Sequence, residues 1–170
     1  MVKLKQLRKI RSVRLAFDIA LVFLVFIAVK TYMQRHLVEG AAPPIEGRLL
    51  TGELVNLQTY QGQPVLVYFW ATWCSVCKLE QNAIDSISKN HTVVSIAMNS
   101  GNAIEVNTYL QENNLNFPVI VDEYGDIAKQ FGVRGVPTSF IIDAEGNIAF
   151  SEMGYTTGWG LRLRLWMAGE

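Results

Sequence analysis

The chain has 170 residues, of which 50% are hydrophobic and 18% are charged, so it is long enough for one compact domain plus one short extra element but not for two full domains. Its formal net charge of zero hides an uneven distribution, because six basic residues fall within residues 1–14. From residue 40 onward, thirteen acidic residues stand against seven basic ones, a charge of about −6. The folded part therefore lacks the basic surface expected of a nucleic-acid-binding protein.

An apolar segment follows the basic residues. Residues 15–33 are mostly apolar, and residues 19–29 contain no polar side chain. As a helix, a segment of this length would span about 28 Å, close to the roughly 30 Å hydrocarbon core of a bilayer. The pattern predicts a cytoplasmic basic segment over residues 1–14 and a transmembrane anchor over residues 15–33. The positive charges then favour placing the rest of the chain on the outer side of the membrane.

A cleaved signal peptide is the competing interpretation of this segment, and it needs small residues at a cleavage site directly after the apolar stretch. Lys30, Thr31 and Tyr32 occupy that place, and the small residues at 40–42 come late. A buried core helix is the third interpretation, but it does not explain the adjacent basic cluster. The sequence therefore favours an uncleaved anchor that crosses the membrane once.

Breaker residues mark the start of the folded domain. Residues 34–46, with a glycine, two alanines and a Pro-Pro pair, predict a linker, and the domain itself is expected over residues 47–170. It begins with a predicted hairpin, in which residues 48–50 and 54–57 flank a Thr-Gly-Glu turn. Residues 65–70 (VLVYFW) are continuously β-branched or aromatic apart from one leucine, which predicts a fully buried strand.

Helices and strands alternate over most of the remaining chain. The predicted elements are helix 76–89, strand 93–98, helix 103–111, strand 119–121, helix 127–131, strand 139–142, strand 148–153 and helix 159–167. This alternation, with a hairpin near its end, predicts an α/β fold with a central mixed sheet flanked by helices.

The only two cysteines, Cys74 and Cys77, lie where the buried strand meets the next helix. A sulfur at a helix N-terminus is close to unpaired backbone N–H groups and to the positive end of the helix dipole, and both favour a thiolate. Cys74 is therefore the predicted nucleophile. Cys77, one turn later, is the predicted resolving thiol, which attacks the mixed disulfide and releases the substrate.

Other uses of the cysteine pair are possible. A structural disulfide across a four-residue turn would add little stability, because it constrains little of the unfolded chain. A zinc site usually needs four protein ligands, and neither His36 nor His91 has motif spacing to the cysteines, so no metal site is predicted. Copper(I) accepts soft thiolates and needs fewer ligands, so a tethered copper-binding module stays open as the non-enzyme alternative.

The cysteines belong to a longer pattern. The segment FWATWCSVC after a buried strand, followed much later by RGVPT at residues 134–138, resembles the thioredoxin superfamily over residues 47–168. The extra strand and helix over residues 103–121 resemble the insert of the TlpA/DsbE-like branch, whose members are typically anchored outside the cytoplasmic membrane. The ending WGLRLRLW resembles the suppressor-for-copper-sensitivity D group of that branch. The resemblance implies a thioredoxin-like fold with a TlpA-type insert, and a link to copper tolerance.

The resemblance also assigns residues to the site. In the family, the proline corresponding to Pro137 is cis and faces the cysteines. Because proline has no N–H, its loop can approach the sulfurs closely, and Val136 and Thr138 are expected to contact an extended substrate beside it. Trp73 is the expected apolar rim. No organic cofactor is implied, since the redox-active disulfide Cys74–Cys77 carries the electrons.

One feature departs from the family. Thioredoxins carry a buried aspartate six residues before the first cysteine, where this chain has Tyr68. Proton transfer at Cys77 must then use another group or water, and Glu80, three residues later on the same helix, is the candidate. The alternative is that Glu80 is a first-turn acid that complements the helix dipole.

The activity that the resemblance implies is thiol–disulfide exchange by a protein of the cytoplasmic membrane whose domain lies in the periplasm. Its expected substrates are proteins with disulfides or thiols, and the expected direction is reduction of disulfides. A membrane reductase of the DsbD type is the expected partner that regenerates the dithiol. Oxidation of substrate thiols is the alternative direction.

Overall fold

The computed structural model describes residues 2–170, and among the side chains before Phe17 it describes only that of Arg14. The chain divides into two units, the first ending at Arg35 and the second covering His36–Glu170. The first unit contains the helix α1 (Val2–Gln34). Within α1, the segment Phe17–Gln34 is long and apolar enough to cross a bilayer, and none of it is buried. The helix thus has the length and composition of the predicted anchor.

The second unit contains a six-stranded mixed sheet and a separate hairpin. The strands are β1 (Gly40–Ala41), β2 (Glu46–Arg48), β3 (Leu54–Asn56), β4 (Val65–Trp70), β5 (Thr92–Met98), β6 (Val119–Asp122), β7 (Thr138–Ile142) and β8 (Asn147–Met153). The sheet order is β1-β8-β7-β4-β5-β6, and β2 pairs with β3. Strands β4, β5 and β6 are parallel, whereas β7, β8 and β1 each run antiparallel to the strand beside them. The mixed sheet agrees with the predicted α/β fold.

Helices connect and cover these strands. They are α2 (Ser75–Ser88), α3 (Ala103–Glu112), α4 (Asp126–Gln130), α5 (Gly158–Ala168) and a short 3-10 helix (Leu57–Tyr60). All the elements predicted from residue 65 onward are present, and none of their ends is displaced by more than one residue. The first hairpin strand is displaced from residues 48–50 to Glu46–Arg48. Leu49 still donates to the Glu53 carbonyl in the hairpin turn, but it also forms an isolated bridge with Ile120, and Leu50 donates to the Val119 carbonyl of β6.

The central strand β4 is buried on both faces, and its side chains alternate between two apolar clusters. Residues 66, 68 and 70 point into a cluster that α2, α3 and α5 cover. Residues 65, 67 and 69 point into a second cluster, which α4 and the segment before β4 cover. Burial on both sides explains why the strand reads as an uninterrupted apolar run. It also fixes the end of β4, where the cysteines follow.

Residues 37–46 differ from the predicted linker. Leu37 is 7% exposed and Ile45 is 1% exposed, and β1 pairs with the edge strand β8. Glycine and proline suggested a free spacer, but the apolar residues beside them bury against the domain. Only residues 35 and 36 therefore separate the end of α1 from the first buried residue of the second unit.

The packing of this segment can be tested at Gly132. Gly132 has a φ of 68°, and a Cβ there would overlap the carbonyl oxygen of His36. We expect Gly132→Ala to lower the free energy of unfolding by about 2–3 kcal/mol, because the backbone at His36 or at residue 132 must move to make room for the methyl group. Gly40→Ala is the matched control: its φ is 80° and its added Cβ meets no atom within 4 Å, so only the strain of a positive φ remains, about 1 kcal/mol. If urea unfolding showed equal losses of stability in the two variants, the packing of the His36 backbone against Gly132 would be contradicted.

Candidate active site

Cys74 and Cys77 lie at the N-terminal end of α2, directly beyond the carboxyl end of β4. A disulfide joins them, and their Cα atoms are 5.3 Å apart. Cys74 is the N-cap residue of α2, and its Sγ accepts the backbone N–H of Cys77 at 3.1 Å. The same N–H is placed to stabilise a thiolate on Cys74 once the disulfide is reduced.

The two sulfur-bearing residues differ in exposure. Cys74 is 6% exposed and Cys77 is 0% exposed. Both cysteines belong to the apolar cluster below α2, but only Cys74 keeps exposed surface. A substrate disulfide therefore meets Cys74 first. A nucleophile must be reached by the substrate and a resolving thiol need not be, so the difference in exposure agrees with the roles predicted for Cys74 and Cys77.

A loop from a distant part of the sequence completes the site. The Val136–Pro137 peptide bond is cis, as the resemblance implies. The Val136 carbonyl oxygen lies 3.6 Å from Cys74 Sγ. The loop reaches this position because β7 begins directly after it and pairs antiparallel with β4, with Thr138 opposite Phe69. Val136 is half-buried and Pro137 is buried, so the loop forms a wall beside the disulfide.

Of the other two residues predicted to contact the substrate, Trp73 is exposed and Thr138 is buried. Trp73, the residue before Cys74, is 64% exposed, and its Nε1 donates to the Asn99 carbonyl at 2.9 Å, which restrains the ring. Thr138 is 0% exposed, and its Oγ1 donates to the Gly135 carbonyl at 2.7 Å. The structure therefore does not place the Thr138 side chain where a substrate can touch it. Its hydroxyl is used to hold the loop.

Glu80 lies one turn after Cys77 and is buried, with 1% of its surface exposed. Its Oε1 accepts the backbone N–H of Thr156, in the segment that precedes α5. Burial raises the pKa of this carboxyl to about 7, against smaller lowering effects of the Thr156 N–H and the Tyr68 hydroxyl. The alternative, a first-turn acid that complements the helix dipole, is wrong, because Glu80 lies beyond the first turn of α2 and is buried. A carboxyl with this pKa can exchange protons near neutral pH.

Sequence reasoning did not assign a role to the polar groups around Glu80. Tyr68 is fully buried on β4, and Gln81 is 3% exposed on α2. The hydroxyl of Tyr109, on α3, donates to Gln81 Oε1 at 2.9 Å. Residues 80 and 81 stand three and four positions after Cys77, on the face of α2 that turns to the sheet. The spacing of Glu80 and Gln81 from Cys77 is the sequence signal that could have located this cluster.

An accessible sulfur at a helix N-terminus, a buried partner sulfur and a cis-proline loop beside them, on this α/β sheet, define a thioredoxin-like thiol–disulfide oxidoreductase. The chain belongs to the AhpC/TSA family, whose model matches residues 38–151.

Individual relatives agree with this class. A thioredoxin-like protein of Haemophilus influenzae is 33% identical over 87% of this chain and 89% of its own length. The thiol-disulfide oxidoreductase ResA of Bacillus thuringiensis subsp. konkukian is 34% identical over 58% of this chain and 60% of its own. The crystal structure of a thiol:disulfide interchange protein from Chlorobium tepidum has a TM-score of 0.69 at 26% identity, and the match covers 78% of this chain and 98% of that one. The resemblance to the thioredoxin superfamily is thereby confirmed.

Proposed function

We propose that this oxidoreductase is anchored in the cytoplasmic membrane and reduces protein disulfides on the periplasmic side. The observation that carries the proposal is the unequal setting of the two sulfurs. Cys74 is accessible and receives a backbone N–H, whereas Cys77 is fully buried with a carboxyl of raised pKa one turn behind it. One sulfur is set to attack and the other to resolve.

The reaction begins from the reduced form. The Cys74 thiolate attacks one sulfur of a substrate disulfide, which forms a mixed disulfide and releases the other substrate sulfur as a thiolate. Cys77 then gives its proton to Glu80 and attacks Cys74 Sγ. The mixed disulfide breaks, the second substrate sulfur leaves as a thiolate, and the Cys74–Cys77 disulfide forms. Two electrons have passed from the protein to the substrate.

The setting of Glu80 supports the reducing direction. Neighbours three apart on a helix have Cβ atoms about 5–6 Å apart, so a Glu80 carboxylate lies close to Cys77. A buried negative charge at that distance disfavours a thiolate on Cys77, so the reduced form keeps Cys77 as a thiol and gains no stabilisation from its ionisation. Stabilisation of the reduced form is what makes a cysteine pair oxidising, so its absence at Cys77 supports the reducing direction.

The surface beside the disulfide suits an extended protein segment. The Val136 carbonyl is near Cys74, and the adjoining Pro137 has no N–H that would need a partner. Trp73 offers an exposed apolar face on the other side. A substrate strand can add its backbone along Val136 while its sulfur meets Cys74. A membrane reductase of the DsbD type, docking in the same way, would return the two electrons.

The helix α1 supports the proposed location. A basic N-terminal segment followed by an apolar helix supports a single crossing with the domain outside the cytoplasm. Detection of a mature chain beginning near Ala41 would contradict this anchor.

The redox state of the cysteines in cells tests the direction. We expect the dithiol to dominate when cells are quenched with acid and the thiols are alkylated, because a reductase must be kept reduced. Loss of the membrane reductase should shift the pair to the disulfide. A pair that is mostly oxidised in normal cells would instead favour the thiol oxidase.

Copper(I) binding by the two sulfurs is the second candidate. Among the residues that the structure describes, no group of three or more His, Cys, Asp or Glu side chains is arranged to hold a metal. The ligands in this second candidate are the Cys74 and Cys77 sulfurs. Stoichiometric Cu(I) binding together with negligible insulin reduction would support a copper module. A role in copper tolerance stays a prediction.

A further inference from the structure

Two buried oxygen atoms beneath the active site have no hydrogen-bond partner among the residues that the structure describes. They are the hydroxyl of Tyr68 and Oε2 of Glu80. Tyr68 is 0% exposed at the middle of β4, and Glu80 is 1% exposed on α2, which packs on that face of the strand. A polar atom buried without a partner is destabilising, so a pair of them at one place in a core needs an explanation.

The two groups act on each other. Burial and then the Glu80 carboxylate raise the pKa of Tyr68, and the Tyr68 hydroxyl lowers the pKa of Glu80. The hydroxyl is therefore directed at the carboxyl and favours its charged form, as a donor to a carboxylate does. The phenol itself keeps its proton throughout the physiological pH range.

The other polar groups near Tyr68 and Glu80 either are uncharged or already have hydrogen-bond partners of their own, apart from Gln81 Nε2. Across the sheet, Tyr68 stands beside Ser95 on β5 and Ser139 on β7, which are uncharged. Tyr109 on α3 adds a smaller effect on Tyr68, but its hydroxyl is already bonded to Gln81. From the segment before α5, the Thr156 N–H holds the other oxygen of Glu80, Oε1. Gln81 Nε2 is a third buried atom of this cluster without a partner in the described part of the chain, but the side-chain hydrogen bond that lowers the pKa of Glu80 comes from Tyr68. The Tyr68 hydroxyl is therefore the donor that we assign to Oε2.

We propose that Tyr68 is the positioning residue for the proton acceptor of the resolving step, its hydroxyl donating to Glu80 Oε2 and holding the carboxylate toward Cys77. This inference rests on the proposed role of Glu80. A hydroxyl both donates and accepts, so Tyr68 can stay bonded when the Cys77 proton arrives and Glu80 becomes a neutral acid. Tyr68 stands at the sequence position of the buried aspartate of thioredoxins. In this chain the carboxyl comes instead from Glu80 on α2, and Tyr68 orients it.

The test uses the full-length protein in detergent and the pH profile of the resolving step between pH 5 and 9. Tyr68→Phe removes one oxygen and keeps the ring in the core. We expect the midpoint of the profile to rise by about one pH unit, the size expected for one hydrogen bond to a charged group. Tyr109→Phe is the matched control, since it also removes a partly buried phenol oxygen from the same cluster, and it should leave the midpoint in place.

A second readout does not depend on activity. The ¹³C resonance of the Glu80 carboxyl should titrate about one unit higher in Tyr68→Phe than in the unmodified protein. A lower rate at every pH with an unmoved midpoint would show a merely structural role for Tyr68 and overturn the inference.

Failure of this inference is distinguishable from failure of the proposed function. If Glu80→Gln removes the pH step while Tyr68→Phe leaves its midpoint unchanged, Glu80 keeps its role and the inference about Tyr68 is wrong. If the step persists in Glu80→Gln, another group accepts the proton, and both assignments are overturned.

Discussion

Cys77→Ala is expected to trap substrates on Cys74 as stable mixed disulfides and to abolish multiple turnover. Without Cys77, release of the adduct depends on a thiol from solution. The lost intramolecular attack has an effective concentration of about 10⁵ M, so release by about 10⁻³ M external thiol should be about 10⁸-fold slower. Non-reducing electrophoresis of acid-quenched membranes, followed by identification of the trapped proteins, measures the result and also identifies the substrates.

Cys74→Ala is the matched control for this trap. The remaining sulfur, on Cys77, is 0% exposed beneath the apolar cluster, so a substrate disulfide should not reach it. We expect no adducts above background. Adducts of similar abundance in both variants would reverse or remove the assigned roles.

Glu80→Gln is expected to lower activity and raise stability at alkaline pH. Loss of a positioned proton acceptor should slow the resolving step by about 10²-fold. The sign of the stability effect follows from the pKa of Glu80, about 7 in the folded protein against an ordinary value of 4.5. The fold favours the protonated carboxyl, so this contribution to stability is fully present below about pH 4.5 and is lost as the pH rises through about 7.

The size of this effect can be measured by unfolding in urea at a series of pH values. At about 1.4 kcal/mol per pKa unit, the unmodified protein should lose on the order of 3 kcal/mol across this window through Glu80 alone. The Gln variant should lack that part of the slope. Glu112→Gln, at an exposed position on α3, is the control and should keep it. A slope unchanged in Glu80→Gln would mean that Glu80 is not a buried acid in solution.

Local pattern was enough to predict the α/β fold and the cysteine pair. The apolar run of β4 and the helical spacing after it place Cys74 at a helix N-terminus, because strand and helix periodicity are properties of neighbouring residues. The same holds for α1, whose apolar length is read directly from consecutive residues. These features do not depend on which distant segments meet.

Glu80, Tyr68 and residues 37–46 could not be placed in the same way. Whether Glu80 is an exposed helix acid or a buried carboxyl depends on the segment at Thr156, seventy-six residues away. Whether residues 37–46 form a free linker depends on the edge of β8 and on Gly132. Burial and pKa are set by neighbours in space, which the order of residues along the chain does not specify. The sequence alone therefore determined the two sulfurs and their helix, and only the tertiary structure decided that a buried acid and a tyrosine lie behind them.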